Sequence, residues 1–432
     1  MTDGPSGLTT RLIRRLGSGS GPLWLGNAGT LALRVIQSVI IARAAGAHEF
    51  GLYVLVISYS AIFVRVMDIG APNANGFLLR RDRGEVRDYA MIAGLHCLAA
   101  TPLVALLWWA WSLTPLAAAE AGAALEGHLL PAMILTSVQL GSALFVPMLV
   151  PRSQLRAYAV VSCAIPLAAI ALSLSLLGFT HLDASLLMYV GAGSEALGIG
   201  LALAFLIRAN GARRTESTLL AKVKTVYAYG LKGYPGFVLK ALSQRIDRPI
   251  LATMISPSNL AAYGVGINLR DQFATPVSIQ SLVVRNRLVD LVQRQGDGRA
   301  ARRFLRRTIR NWALLLGPAS LAAAAVSPWA VPFIYGPDFR EAGPIAALLF
   351  LTTPFVMIST FSWCALLADE EPGLFSMISI ATTLMVIGGA AVGGYMRGGL
   401  GAALGTLIAT VLGAGLWYAS AELHLRRVIR RI

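Results

Sequence analysis

Apolar residues in this chain come in runs of about twenty, the length that crosses a hydrocarbon core of about 30 Å as a helix. Twelve such runs are readable, at 22–44, 51–79, 89–113, 129–150, 157–178 and 184–207, then at 228–255, 260–284, 311–334, 343–367, 373–395 and 399–422. The run from Leu23 to Ile41 is longer than the apolar part of a signal peptide and contains Arg34, so it is expected to be retained as the first span.

Four of these runs are interrupted by polar residues at steps of three or four, which gives each helix one wet face. Span 1 carries Asn27, Thr30, Arg34 and Gln37, and span 2 carries Ser58, Arg65 and Asp68. Span 7 carries Tyr229, Lys232, Gly236, Lys240 and Gln244 and ends in a charged knot of Arg245, Asp247 and Arg248. Span 8 carries Asn268, Arg270, Asp271, Gln272 and Thr275. A charged side chain at mid-membrane costs about 2.5–3.5 kcal/mol on insertion scales, so these groups must face protein, water or each other. Arg65 with Asp68, Arg245 with Asp247, and Arg270 with Asp271 are each close enough to pair locally. Arg34 and Lys240 have no acidic residue on their own faces, and unpaired cations at that depth call for an anion. Glu195, alone among small residues in GAGSEALGIG, fits either a site for a proton or cation or a partner for one of the arginines. Asp68, Glu195, Asp247 and Asp271 are therefore the candidates for ion coupling.

Composition agrees with the pattern: of 432 residues 56% are hydrophobic and only 13% charged, which excludes a soluble globule and indicates an all-α polytopic membrane protein. The net charge of +16 lies on alternate connections: Arg80, Arg81, Arg83 and Arg87, then Arg152 and Arg156, then 208–224, then the basic stretch 285–310, then the C-terminus. By the positive-inside rule both termini are expected in the cytoplasm. RAARRFLRRTIRNW (299–312) could be taken for a nucleic-acid segment, but its place between two spans favours headgroup contact and a topology anchor, so no nucleic-acid partner is expected. The same holds for the basic N-terminal segment. Cys97, Cys163 and Cys364 have no ligand or disulfide spacing, and His96 and His181 have no second ligand at helical spacing, so neither metal nor cofactor is expected. In GGAAVGGYMRGGLGAALG, Gly389 stands four before Gly393 and Gly401 four before Gly405, a pattern that lets helices approach closely. No GxxxxGK[ST] is present, so no ATPase is expected.

The chain also repeats. LATMISPSNLAAYGVG (251–266) and ARAAGAHEFGLYVL (42–55) each close a span, turn, and open the next span around Tyr263 or Tyr53. Two six-helix halves of equal orientation follow, and such parallel repeats hold substrate at their interface. The expected divisions are a segment 1–21, a bundle 22–210, a linker 211–227, a second bundle 228–422 and a basic tail 423–432.

The stretch ARAAGAHEFGLYVLVISYSAIFVRVMDIGAP, with Ala42, Arg43, Gly46, Phe50, Gly51, Tyr53, Asp68 and Gly70, resembles the second-span signature of the polysaccharide flippases in the multidrug/oligosaccharidyl-lipid/polysaccharide (MOP) superfamily. YGLKGYPGFVLKALSQRIDRPILATMISPSNLAAYGVG and FIYGPDFREA are similar to that family's seventh span and a later outside loop. The resemblance implies a MATE-like fold with a V-shaped central cavity, alternating access, and export of undecaprenyl-pyrophosphate-linked sugar repeats. It also implies membrane lipids, a polysaccharide polymerase and chain-length machinery as partners. It assigns the cationic side chains, Arg34, Arg65, Lys240 and Arg270 with Arg245 and Arg248 as helpers, to the phosphates. The chain departs from the pattern at Ala45, where leucine is common. Twelve rather than fourteen spans argue against a lipid II flippase. A cation-coupled multidrug exporter would share the fold but favour acidic cavity residues. An integral membrane glycosyltransferase or ligase would need carboxylates on a large loop, whereas 114–128 offers only Glu120 and Glu126.

Overall fold

The computed structural model describes residues 21–81, 86–150, 154–208, 218–368 and 372–431; the expected N-terminal segment and the acidic loop 369–371 lie outside them. Among the described residues the chain is helix and turn, with no strand. Twelve long helices are separated by breaks that the local sequence explains. The first continuous helix, Gly21–Met67, is two helices, because Gly46 sits at φ 77 and ψ 173, outside helical space and readily adopted only without a Cβ. These are α1 (21–45) and α2 (47–67). There follow α3 (Val86–Ser112), α4 (Leu129–Phe145), α5 (Leu155–Leu177), α6 (Ala184–Arg208), α7 (Leu219–Arg245), α8 (Pro257–Val289) and α9 (Gly298–Tyr335). A turn at Thr352 divides α10 into Ala342–Leu351 and Thr353–Ala368. The last helix, Pro372–Arg431, breaks at Arg397 and Gly398 into α11 (372–396) and α12 (399–431).

Eight helical stretches are long and apolar enough to cross a membrane, and Gly26–Met67 and Leu374–Ile429 each hold two of the twelve helices. The two left out of that set, α7 and α8, carry the densest intramembrane charge. The chain is thus a multi-pass membrane protein, with the expected number of spans.

Several ends differ from the expected ones. Span 2 does not run on to residue 79: α2 stops at Met67, and a separate helix, Ala71–Arg81, follows. The break is a turn with Ile69 at φ 46 and Gly70 at φ 74, held by Asp68, whose Oδ1 accepts the Gly70 N–H at 2.8 Å. α7 begins at Leu219, inside the stretch read as a linker, and 285–310 is nearly all helix. A single turn of π-helix, Asp290–Arg294, and the Asp297 cap join α8 to α9 there. At 38 residues α9 is about 57 Å long, well beyond a hydrocarbon core. Its arginine-bearing start packs on the ends of α8 and α12 around Leu288, Leu291, Ala301, Leu305, Leu425 and Val428. Arg302 and Arg306 both bond Glu422, at 2.6 Å and 2.5 Å.

The chain divides into two compact units. One holds Met1–Ala45, Tyr59–Ala118 and Ala124–Val238, and the other holds Gly46–Ser58, Ala119–Ala123 and Leu239–Ile432. Each therefore takes a piece of helix from the other half of the sequence. In the first unit, the early part of α7 lies on α2 and α3. The Tyr234 hydroxyl donates to the Val66 carbonyl at 2.6 Å, and His96 bridges Tyr227 Oη (2.6 Å) and the Met67 carbonyl (2.8 Å). Lys222 pairs with Asp88 one turn further on.

In the second unit the two stretches read as repeats meet directly. A Cβ on Gly51 would lie 1.9 Å from the Pro257 carbonyl oxygen, and one on Gly264 would lie 2.7 Å from a Val54 methyl. Gly51→Ala is therefore expected to destabilise the protein by about 1–3 kcal/mol through overpacking, read as a fall in the thermal unfolding midpoint of purified protein. An unchanged midpoint would show that α2 and α8 are not this close.

Candidate functional site

The charged knot at the end of α7 becomes a built cluster in the second unit. α7 stops at Arg245, and a short helix, Asp247–Leu251, follows. The chain then reverses into α8, whose start is capped by Ser256 accepting from the Asn259 N–H at 3.4 Å. That reversal sets Tyr263 against Asp247. The tyrosine hydroxyl donates to Asp247 Oδ2 at 2.9 Å and lies 3.3 Å from Thr406 Oγ1 of α12.

Two turns of α8 further on, Arg270 grips its neighbour: Nε and Nη2 both donate to Asp271 Oδ1, at 3.0 Å and 2.5 Å. Arg248 reaches toward the same carboxylate from the short helix, but its Nη2 stops 3.9 Å from Asp271 Oδ2. That distance is a Coulombic contact without a hydrogen bond. Arg248 is 1% exposed, and among the described residues none of its three guanidinium nitrogens has a hydrogen-bond acceptor. Asp247 Oδ1 is likewise buried without a donor. With Arg245 half-buried beside them, three guanidinium groups face two carboxylates.

Such a cluster carries a net positive charge inside a membrane helix bundle. Exposure within it is uneven: the Asp271 side chain keeps 39% of its surface, that of Arg270 15% and that of Arg248 1%. An arrangement of this kind can offer Arg270, the less buried of the two guanidiniums on Asp271, to an anion and leaves Arg248 behind it.

In the first unit the candidates are more scattered. Arg34 is exposed on α1 with no ion-pair partner among the described residues, while Thr30, one turn away, faces α5 at 3.4 Å from Cys163 Sγ. Arg65 donates to Asp68 Oδ2 at 2.9 Å, so the local pair open to it in the sequence is formed. Asp68 spends its other oxygen on the turn that ends α2, and both oxygens are committed to structure. Glu195 is half-buried on α6 with no ion pair among the described residues. Lys240 falls in the second unit's share of α7; its backbone is described, but its side chain and that of Lys232 lie outside the described residues. Among the described residues no three His, Cys, Asp or Glu converge as metal ligands.

Two arrangements had no counterpart in the sequence reading. One is Glu422 between two arginines. The other is the seat formed by Tyr227, Gly230 and Tyr234, whose spacing of three and four on one helix face is the signal that was there to be read.

Residues 155–344 match a family described as polysaccharide biosynthesis protein. Among curated proteins none matches the chain. Among solved structures, the lipid II flippase MurJ in an inward closed conformation is similar with a TM-score of 0.71 at 15% identity, over 92% of this chain and 87% of that one. An inward-facing MATE family multidrug transporter of the MOP superfamily is similar with 0.68 at 11% identity, over 93% and 96%. The eukaryotic MATE transporter AtDTX14 gives 0.62 at 16% identity, over 97% and 99%. The resemblance read from the second and seventh spans is borne out: the chain has the fold of the MurJ and MATE transporters of the MOP superfamily, and its middle carries the sequence pattern of a polysaccharide biosynthesis protein.

Proposed function

We propose that this protein is a flippase of the bacterial cytoplasmic membrane, with both termini in the cytoplasm, that moves undecaprenyl-pyrophosphate-linked oligosaccharide repeat units by alternating access. The observation that carries the reading is the guanidinium surplus where α7, the short helix Asp247–Leu251 and α8 meet, three arginines over two aspartates. Cations kept in that setting serve an anion. A pyrophosphate that joins a lipid tail to a glycan matches their charge and their forked donor geometry. Arg34, exposed on its own helix, adds a further cation, and Arg65 and Lys240 belong to the same assignment. The match to a polysaccharide biosynthesis family supports a glycan as the cargo, with a polymerase and chain-length machinery as downstream partners.

The test is export of surface polysaccharide in cells and transfer of a fluorescent polyprenyl-pyrophosphate glycan in proteoliposomes. Arg34→Ala and Lys240→Ala are expected to lower both by more than about tenfold while the protein inserts at wild-type levels. That fall corresponds to about 1.4 kcal/mol or more of lost interaction. Full export by both variants would overturn their assignment. Transfer of organic cations in place of the glycan by the wild-type protein would favour a drug exporter.

A further inference from the structure

The cluster at α7 and α8 holds one carboxylate too few, and the shortfall falls on a residue that a ligand cannot reach. Arg248 is buried to 1% exposure with all three guanidinium nitrogens unpartnered. A guanidinium without an acceptor in such a place is costly, and its surroundings must offer one in some state of the protein. An acidic oxygen within reach is Asp271 Oδ2, at 3.9 Å from Nη2. That oxygen accepts no hydrogen bond among the described residues, because both donors from Arg270 converge on Oδ1. Closing the gap takes a movement of about 1 Å to reach hydrogen-bond length. What holds the carboxylate back is its grip on Arg270.

We propose that Asp271 exchanges partners between Arg270 and Arg248, and that an incoming phosphate group drives the exchange. The nature of that anion rests on the flippase reading above; the exchange itself rests on the geometry. A phosphate carries more charge than a carboxylate and offers three oxygens to a forked donor, so it displaces Asp271 from Arg270. The released carboxylate turns to Arg248 and satisfies the buried guanidinium, drawing α8 toward the short helix Asp247–Leu251. One ligand contact thus becomes a shift between two packed elements that have two discrete arrangements. Arg248 is in this account a positioning residue: it senses the ligand through Asp271 and never touches it. Tyr263, on α8 itself, already ties that helix to the short helix through Asp247 and lies against Thr406.

The exchange predicts a coupling that grows when Arg270 is removed, with no ligand present. Thermal midpoints of the purified full chain are measured for Arg248→Gln, Asp271→Asn and the double variant, first in the wild-type background and then with Arg270→Met. The interaction between positions 248 and 271 is expected to be at least about twofold larger in the Arg270→Met background. Equal or smaller coupling there would overturn the exchange. If Arg248→Gln fails to fold, Arg248→Lys replaces it, keeping the charge but offering one donor centre in place of a fork, with the same direction expected at smaller amplitude.

A second arm uses undecaprenyl pyrophosphate as the probe, on protein in nanodiscs and in proteoliposomes. Arg270→Met is expected to weaken binding by more than about tenfold. Arg248→Gln is expected to bind within about threefold of wild type yet transfer the probe more than about tenfold more slowly. Loss of binding in Arg248→Gln equal to that in Arg270→Met would make Arg248 a direct ligand and overturn its positioning role. Failure of the wild-type protein to bind the probe would remove the flippase reading, and the stability cycle would still decide the exchange.

Discussion

Gly405→Leu is expected to abolish accumulation of folded protein, while Gly388→Leu leaves it unchanged. α11 and α12 run antiparallel on either side of the break at Arg397 and Gly398, and their backbones touch through four glycines. A Cβ on Gly405 would stand 1.9 Å from the Gly389 carbonyl oxygen, and one on Gly389 would stand 2.5 Å from that of Gly405. One turn nearer the break, Gly393 and Gly401 would each place a Cβ 2.0 Å from the other's carbonyl oxygen. No side-chain rotation relieves a clash between a Cβ and a backbone oxygen, so the helices must separate along their length. In lipid, where association depends on packing rather than on water, that separation forfeits the interface itself. The expected cost is about 3 kcal/mol or more, a large share of a typical folding free energy. Gly388 is the control because nothing lies within 4 Å of its notional Cβ and it faces outward. Size-exclusion profiles and thermal midpoints of the two variants decide the matter; equal behaviour would show that the glycine contact is not what joins these helices.

That glycine contact was legible from spacing alone, and the reason is physical. Residues four apart on one helix share a face, so Gly389 with Gly393 and Gly401 with Gly405 announce a narrow seam before any partner is known. The twelve spans were legible for a similar reason, since apolar length answers directly to bilayer thickness. The break after Met67 was harder to read, because it depends on Asp68 turning an oxygen back to the Gly70 amide, while the apolar pattern continues past it. The early start of α7 was hidden because its first turns are polar. They are helical because Tyr227, Gly230 and Tyr234 seat them on α2 and α3, against His96 and the Val66 carbonyl, 131 and 168 residues away in sequence. At the site, the residue types and the spans that bear them were readable. The roles were not: Arg248 and Arg270 look alike in sequence, and only burial distinguishes the guanidinium a ligand can reach from the one behind it. The same holds for Asp68, which stood as a candidate both for ion coupling and for a local pair with Arg65, and in the structure is bound to its own turn and to Arg65.

The role of the pair at Arg270 and Asp271 is separable from its contribution to stability by a single comparison. Asp271→Leu leaves Arg270 without its carboxylate and takes from Arg248 the acidic oxygen 3.9 Å away, so two guanidiniums lose compensation among packed helices. Removing one partner of a buried pair costs about 3–5 kcal/mol; because the Asp271 side chain keeps 39% of its surface exposed, solvent screening lowers the expectation here to about 2–4 kcal/mol. Adding Arg270→Met to the same protein removes one of the two stranded charges and replaces it with an apolar chain of similar length, which is expected to restore part of the lost stability. Transport responds differently. If Arg270 exists to receive an anion, the double variant regains stability and still transfers less than about a tenth as much polyprenyl-pyrophosphate glycan, because the cation at position 270 is gone. If Arg270 and Asp271 form only an internal brace, the double variant recovers transport along with its thermal midpoint. Measuring both quantities on one preparation distinguishes the two outcomes, and recovery of transport would remove Arg270 from the phosphate site.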